Sequence, residues 1–387
     1  MDFDLQWLLL GLPVAFALGW MASRFDVRQW KREQRESPKA YFKGLNLLLN
    51  EQHDKAIDAF IEAVQHDPDT SDLHFALGNL FRRRGEYERS VRVHEHLLNR
   101  ADLPATERDR AQHGLAQDFM KAGLLDRAEV AWRALEGTAF DTEARLALLT
   151  LHERGRDWRS AVDDATKLER SGTGSYASRI AHYWCEIALE ADARGQVGDG
   201  DDAVRRAREA APQAARPLVL TGQRARAAGD HAAALAAFRQ LLMAHPLSFS
   251  LVALDHADSA LQAGEPDAAL TELRALYART PSLELLHAIA KLDPQPEAQR
   301  ERAAGHLQHH PTLSAARELL QLRNSQSAEQ GSEDAELAAI EQAIARAARP
   351  LQRYRCAACG FEAQMYFWQC PGCLNWDTYP PVHMEDQ

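Results

Sequence analysis

The sequence has no Gly-x-x-x-x-Gly-Lys phosphate loop, no His-Glu-x-x-His pair and no Gly-x-Ser-x-Gly turn, so the common signatures of nucleotide, metallohydrolase and serine-nucleophile chemistry are missing. It has no basic excess. The formal net charge is -11, whereas a binder of phosphate backbones needs a basic face. Nucleic acid is therefore not expected as a partner, although local basic patches stay open. Cysteine is scarce: there are five, and four fall after residue 355. An even scatter would suggest a disulfide framework. This clustering suggests a metal site in a reducing compartment. No Lys or Arg precedes the first long apolar stretch.

At 387 residues the chain is too long for one ordinary core, so two or more folded units are expected. Ala, Leu, Glu and Arg are abundant, a mix that favours helices. From Leu5 to Ala22, Gln6 is the only polar side chain. Eighteen helical residues reach about 27 Å, near the lower limit for a bilayer core of ~30 Å. Trp7 and Trp20 lie near the two ends, where amphipathic aromatics prefer to sit. Asp2 and Asp4 precede the stretch, and Arg24, Arg28, Lys31, Arg32 and Arg35 follow it. By the positive-inside rule the remainder is cytoplasmic and the N-terminus periplasmic. A cleaved signal peptide would carry its positive charge before the apolar stretch. A surface-lying amphipathic helix would not be apolar all round. Gly11, Ala15 and Gly19 fall at four-residue steps. This spacing allows close approach of a second span, hence a homodimer, or reflects chance in a span rich in small residues.

From about Ser37 to Pro311 the sequence repeats with a period near 34. Gly44, Ala56, Phe60, Ala63 and Pro68 share their offsets with Gly222, Ala234, Phe238, Leu241 and Pro246. Gly78 opens a copy in which Ser90 and His94 replace the Ala and the aromatic. Further copies carry Ala128 with Trp132, Ala161 with Ala165, and Ala269 with Leu273. Small residues at helix crossings, a large residue four positions later and a terminating Pro describe stacked helical hairpins. The offsets resemble the tetratricopeptide repeat (TPR). Around Ser178 to Pro212 the pattern degenerates, and Gly195 to Asp202 reads as a Gly/Asp-rich loop. Cys185, within that copy, reads as a buried small apolar residue.

Such solenoids present a groove to partners. The resemblance places Asn79, Arg82, Arg83, Arg110, His113, Gln117, Lys121, Arg154, Arg216, Gln223 and Arg226 on it. They are mainly basic and polar. Either they form an electropositive groove for an acidic peptide, or they are a solvated helix face. Arg82 and Arg83 are both expected to face solvent, so reversing their charges should weaken partner binding without unfolding the array.

Asn324 to Ala335 reads as a polar linker, and Ala335 to Ala348 as a short helix before Pro350. Cys356-x-x-Cys359-Gly360 and Cys370-x-x-Cys373 follow, two pairs ten residues apart. Each pair forms a tight turn, and the four thiolates complete one tetrahedral Zn or Fe site. A redox dithiol would need only one pair and a helix-opening context. The nearby aromatics Tyr354, Phe361, Tyr366, Phe367, Trp368, Trp376 and Tyr379 read as the small core of a metal-dependent unit. Too few basic residues accompany them for nucleic-acid stacking. The turns resemble those of rubredoxins, although Leu374 stands where Gly is usual and the intervening segment is shorter.

The order of parts is that of a mostly α chain: a transmembrane anchor at 1–23, a basic juxtamembrane segment at 24–36, a TPR array at 37–323, a linker and helix at 324–350, and a rubredoxin-like knuckle at 351–387. It resembles the lipopolysaccharide assembly protein B family (LapB, also called YciM). The most specific pieces are Leu77-Gly78-Asn79-Leu80-Phe81-Arg82-Arg83-Arg84-Gly85-Glu86 and the knuckle from Tyr354 through Trp376. The resemblance implies an inner-membrane adaptor, not an enzyme. Such an adaptor brings the LpxC deacetylase to the FtsH protease, or docks lipopolysaccharide synthesis enzymes near export machinery. A small electron carrier, resting on the knuckle alone, is the remaining alternative. His306, His309 and His310 have helical spacing. They could hold a metal or form a polar helix end before Pro311.

Overall fold

The computed structural model describes residues 15–21, 42–47, 49–50, 52–66, 70–329 and 335–386. Most of the apolar stretch and all of the basic segment at 24–36 lie outside these. Residues 15–21 are helical with exposed side chains. Among the described residues no helix is long and apolar enough to cross a membrane.

The chain divides into two units, Met1–Thr173 and Gly174–Gln387. The first contains the helix His53–His66 and three antiparallel pairs. These are Ser71–Arg84 with Tyr87–Leu98, Ala105–Ala122 with Leu125–Arg133, and Asp141–Gly155 with Trp158–Arg170. The spacing of the repeat has a direct packing cause. A Cβ placed on Gly44 would lie 2.8 Å from the Phe60 ring, sixteen positions on. In the second unit the Phe238 ring fills the space above Gly222 in the same way. Gly85 and Gly123 end their helices in left-handed conformation, with φ of 82° and 74°, which a Cβ would oppose.

The second repeat keeps this geometry with polar groups. The His94 ring takes the aromatic's place, and a Cβ on Gly78 would lie 2.7 Å from it. Ser90 Oγ donates to the Gly78 carbonyl at 2.8 Å. A buried imidazole needs partners. His94 Nδ1 lies 2.6 Å from Asp118 Oδ2, and Arg82 Nη1 donates to Asp118 Oδ1 at 2.7 Å. His152 is buried between Asp164 at 2.8 Å and Glu129 at 3.5 Å. Burial opposes its protonation, but the two carboxylates prevail and raise its pKa.

The second unit pairs Ala177–Ala193 with Val197–Ala210, Ala215–Ala227 with His231–Ala244, and Ala253–Ala263 with Pro266–Tyr277. Leu283–Leu292 with Pro296–His309, and Leu313–Glu329 with Ala335–Ala348, complete its helices. Phe238, Leu241, Phe249, Val252, Leu273, Leu285 and Ile289 form its main core.

Two expectations from the sequence are corrected. Gly195 to Asp202 is not a loop, because helix begins at Val197. Gly200 lies against the Arg224 guanidinium and the Asp192 carboxylate, which a Cβ would displace, and Arg224 binds Asp192 and Asp201. The glycine and the acids therefore serve a helix contact. The polar segment after Asn324 is helical through Glu329. Residues 330–334 lie outside the described residues. Cys185 is fully buried, and burial pushes its thiol up to about 12, so it is inert. His306 Nδ1 lies 2.7 Å from the Tyr277 hydroxyl, and His309 Nδ1 donates to the Gly305 carbonyl at 2.8 Å. The triplet is a polar helix end, with those ring nitrogens engaged.

Candidate metal centre and interaction surface

The knuckle is built on two short strands, Tyr354–Arg355 and Glu362–Ala363, paired antiparallel. Each cysteine pair closes a turn. Gly360 N–H donates to the Cys356 carbonyl at 2.8 Å, and Leu374 N–H to the Cys370 carbonyl at 2.8 Å. Gly360 takes a φ of 76°. Leu374, where Gly is usual in such turns, takes the same left-handed region with a φ of 61°. The turn is therefore kept without the glycine, at a conformational cost. A Cβ on Gly372 would lie 3.1 Å from Phe361, so that ring would have to give by a few tenths of an ångström.

The turns bring Cys356, Cys359, Cys370 and Cys373 together, with all four sulfurs within 4.8 Å of one another. Cys356 Sγ lies 3.8 Å from Cys373 Sγ, and Cys359 Sγ lies 3.6 Å from Cys370 Sγ. A tetrahedron with metal–sulfur bonds of ~2.3 Å has edges of roughly 3.8 Å. The four residues thus fit one metal ion in a closed site. Burial raises the Cys356 thiol, yet Thr378 and the turn amides outweigh it and hold it at about 6. The Phe361 amide favours the Cys359 thiolate, but desolvation and the other three sulfurs push that thiol up to about 12. A cation bound among the four would offset the mutual repulsion of their thiolates, and its binding would release their protons.

Cys356, Cys370 and Tyr379 form the knuckle's core, with Tyr354, Tyr366 and Phe367 packed around them. Trp368 and Trp376 have another role. Trp368 packs against the helical core of the second unit. Trp376 stacks on His182 at 4.6 Å between centroids, and the Arg216 guanidinium lies 5.5 Å from the Trp376 ring. Asp377 Oδ2 is 2.8 Å from His182 Nε2 and accepts from Ser178 Oγ at 3.1 Å. Burial works against the Asp377 carboxylate, but His182 and Ser178 hold its pKa below the ordinary range. The last residues are also fixed. Ser314 N–H donates to Glu385 Oε1 at 2.9 Å, and His383 Nδ1 lies 3.2 Å from Glu284 Oε1.

The groove residues divide by what they touch. Arg82 is engaged with buried Asp118 and with the Gly114 carbonyl, so its guanidinium does not simply face solvent as expected. Asn79 accepts from Arg82. Arg110 pairs with Asp72 at 2.9 Å and lies over Phe75. His113 lies 2.9 Å from Glu143, and Gln117 donates to the same carboxylate at 3.3 Å. In the second unit Arg216 is buried and paired with Glu186 at 2.6 Å. Arg226 pairs with Asp255 at 3.0 Å, and Gln223 donates to the same carboxylate at 3.5 Å. Arg83, Lys121 and Arg154 are exposed and make no ion pair among the described residues. They lie in the last turns of three successive first helices of the pairs.

Residues 354–381 match the model of the rubredoxin metal binding domain, and residues 43–93 match that of the tetratricopeptide repeat. Over its whole length the chain is similar to lipopolysaccharide assembly protein B of Escherichia coli, with 32% identity over 384 residues and 98% of each chain covered. The chain belongs to the lipopolysaccharide assembly protein B family. The Haemophilus influenzae protein of that name is 26% identical over 400 residues, 99% of each chain. A tetratricopeptide repeat protein from Parabacteroides merdae aligns with 66% of this chain and 98% of its own, at 14% identity and a TM-score of 0.33, too distant to bear on function.

In this LapB-family chain, sequence reasoning missed the contact between knuckle and helices. His182, Ser178, Glu284 and Ser314 carry no motif, and all four are remote in sequence from their partners. The available signal was the excess of aromatics over what so short a knuckle can bury.

Proposed function

We propose that this chain is a non-catalytic adaptor of lipopolysaccharide assembly, held at the inner membrane by residues 5–22 with the bulk of the chain cytoplasmic. The end-to-end match, 98% of both chains, to a protein named for lipopolysaccharide assembly carries the reading. The TPR match supports it, since stacked helical pairs are surfaces for other proteins. Its task is to bring the LpxC deacetylase to the FtsH protease, and the span keeps it beside a membrane-bound partner. The exposed groove residues, Arg83, Lys121 and Arg154 foremost, take part in partner contact. The four cysteines hold one Zn or Fe ion, which supplies structural closure.

Deleting the gene should let LpxC accumulate. Normal LpxC turnover in the deletion strain would sink the FtsH role, and a scaffold docking synthesis enzymes to export machinery would replace it. A membrane-impermeant thiol probe should label Asp4→Cys from the periplasmic side. Labelling only after the membrane is breached would reverse the topology. A colourless purified knuckle counts against electron transfer, whereas reversible visible absorbance from an iron-loaded site would favour it.

A further inference from the structure

The helical segment that opens the array is apolar on two opposite faces. Residues 42–47 and 49 are helical. On one face Gly44 lies under the Phe60 ring, and Leu47 packs on the first unit's core. At about 100° per residue, Phe42, Leu45 and Leu49 fall within about 60° of one another on the other face. They are 60%, 37% and 72% exposed. The last helix of a solenoid turns a polar face outward when that face stays in water. A helix that is apolar all round is covered all round.

The position of this face in the chain bears on what covers it. Phe42 follows Ala22, the end of the long apolar stretch, by 20 positions. Fully extended, that length reaches at most about 70 Å. Between Ser23 and Tyr41 six cations, Arg24, Arg28, Lys31, Arg32, Arg35 and Lys39, stand against three acids. A cationic excess beside a span is drawn to anionic headgroups, and Trp30 among the cations favours the same level. The connection therefore brings Phe42 close to lipid. A protein partner fits this face less well. Three side chains fall far short of the ~1,200 Å² that a specific protein pair buries, whereas apolar side chains at a bilayer interface need no shaped partner. We propose that the outer face of this first helix lies in the interface of an anionic bilayer, with Leu45 and Leu49 buried at the level where headgroups meet acyl chains. The array's N-terminal end then rests on the membrane instead of hanging from a tether. The proposal rests on the reading of residues 5–22 as a span.

Photocrosslinking of the full-length protein in lipid nanodiscs tests it. p-Benzoylphenylalanine in place of Leu49 should form lipid adducts, read by mass spectrometry. The same probe in place of Val130, which is 72% exposed on the Leu125–Arg133 helix, should form none. The adduct yield at position 49 should fall about fivefold or more when phosphatidylglycerol is replaced by phosphatidylcholine. Leu45→Glu should lower it by a similar factor with helicity unchanged. A crosslink to a second copy, or to residues 23–41 of the same chain, with no lipid adduct would overturn the proposal. Equal lipid capture at positions 49 and 130 would do the same. Alkaline extraction of native membranes checks the span separately. Release of the protein would sink the span and this proposal together, while retention with no lipid adduct at position 49 would sink this proposal alone.

Discussion

Replacing Arg82 should destabilise the first unit, while the same change at Arg83 should not. Arg82 carries a side chain 16% exposed against an Asp118 side chain that is 0% exposed. It also donates to the Gly114 carbonyl at 3.1 Å. Removing one partner of a buried pair costs about 3–5 kcal/mol, because the other charge stays buried. Here His94 still holds Asp118 Oδ2 and solvent reaches the arginine's edge. The expected loss for Arg82→Ala is therefore smaller, about 2–3 kcal/mol. Arg82→Glu should cost more, since it sets a second carboxylate beside the first. Arg83 is exposed, and Arg83→Glu should stay within about 0.5 kcal/mol of wild type. Hydrogen exchange of the amides in Ser71–Arg84 and Ala105–Ala122 reads the first unit by itself. If Arg82→Ala and Arg83→Ala protect these amides equally, the buried network does not hold the two repeats. In the reverse case, a charge reversal at Arg82 that weakens partner binding in cells reports misfolding and not a lost contact.

The metal should be the knuckle's main source of stability: Cys356→Ser or Cys373→Ser should abolish bound metal and unfold residues 351–387 while most helicity remains. Structural metal sites contribute on the order of 10 kcal/mol, and one metal per chain in a variant lacking all four knuckle cysteines would refute the site. Leu374→Gly should raise the knuckle's resistance to chelator by up to about 1 kcal/mol, because it relieves a left-handed leucine that is 40% exposed; a loss of stability would refute this. The tail should loosen as pH rises. Glu284 beside His383 raises the His383 pKa, so that stability is fully present below the ordinary histidine value of about 6.5 and fades as pH climbs through the raised one. Burial and the nearby Glu284 raise the Asp386 pKa, which acts in the same direction at lower pH. Burial raises the Glu284 carboxyl, but His383 holds it below its ordinary value, which sets the acid limit. Protection of the Met384 amide, which donates to the Arg353 carbonyl at 2.8 Å, should fall from mildly acidic to alkaline pH, and a flat or rising profile would contradict the assignment.

What could be read in the sequence was whatever one residue type at one offset decides. Gly44 with Phe60 and Gly222 with Phe238 are each a missing Cβ and a ring that uses its space, so their common offset marks a helix crossing. The two Cys-x-x-Cys turns are equally local, and four thiolates at that spacing leave little choice of geometry. Contacts between distant residues could not be read. The Gly195 to Asp202 segment looked like a loop because glycine and aspartate favour turns. In the folded chain it is held by Arg224 of the next pair, which binds Asp192 and Asp201. Trp376 looked like knuckle core because nothing in its neighbourhood names His182. Arg82 looked like a solvated cation because its need for Asp118 arises only once His94 has replaced the ring.

That last substitution links the repeat's packing to its function. An aromatic above Gly78 would need no charged support. A histidine there draws in Asp118, and Asp118 draws in Arg82, so a residue on the groove is committed to folding. Comparable pairings engage Arg110 with Asp72, Arg216 with Glu186 and Arg226 with Asp255. A groove assigned by position alone therefore overstates the charge available to a partner. Arg83, Lys121 and Arg154 are exposed and make no ion pair among the described residues, so these cations are not committed to folding in that way. They occupy the last turns of three first helices of the first unit. Selectivity for a partner should accordingly depend on the first unit's helix ends. In the second unit the corresponding first helix already holds the chain's own Trp376 and Asp377.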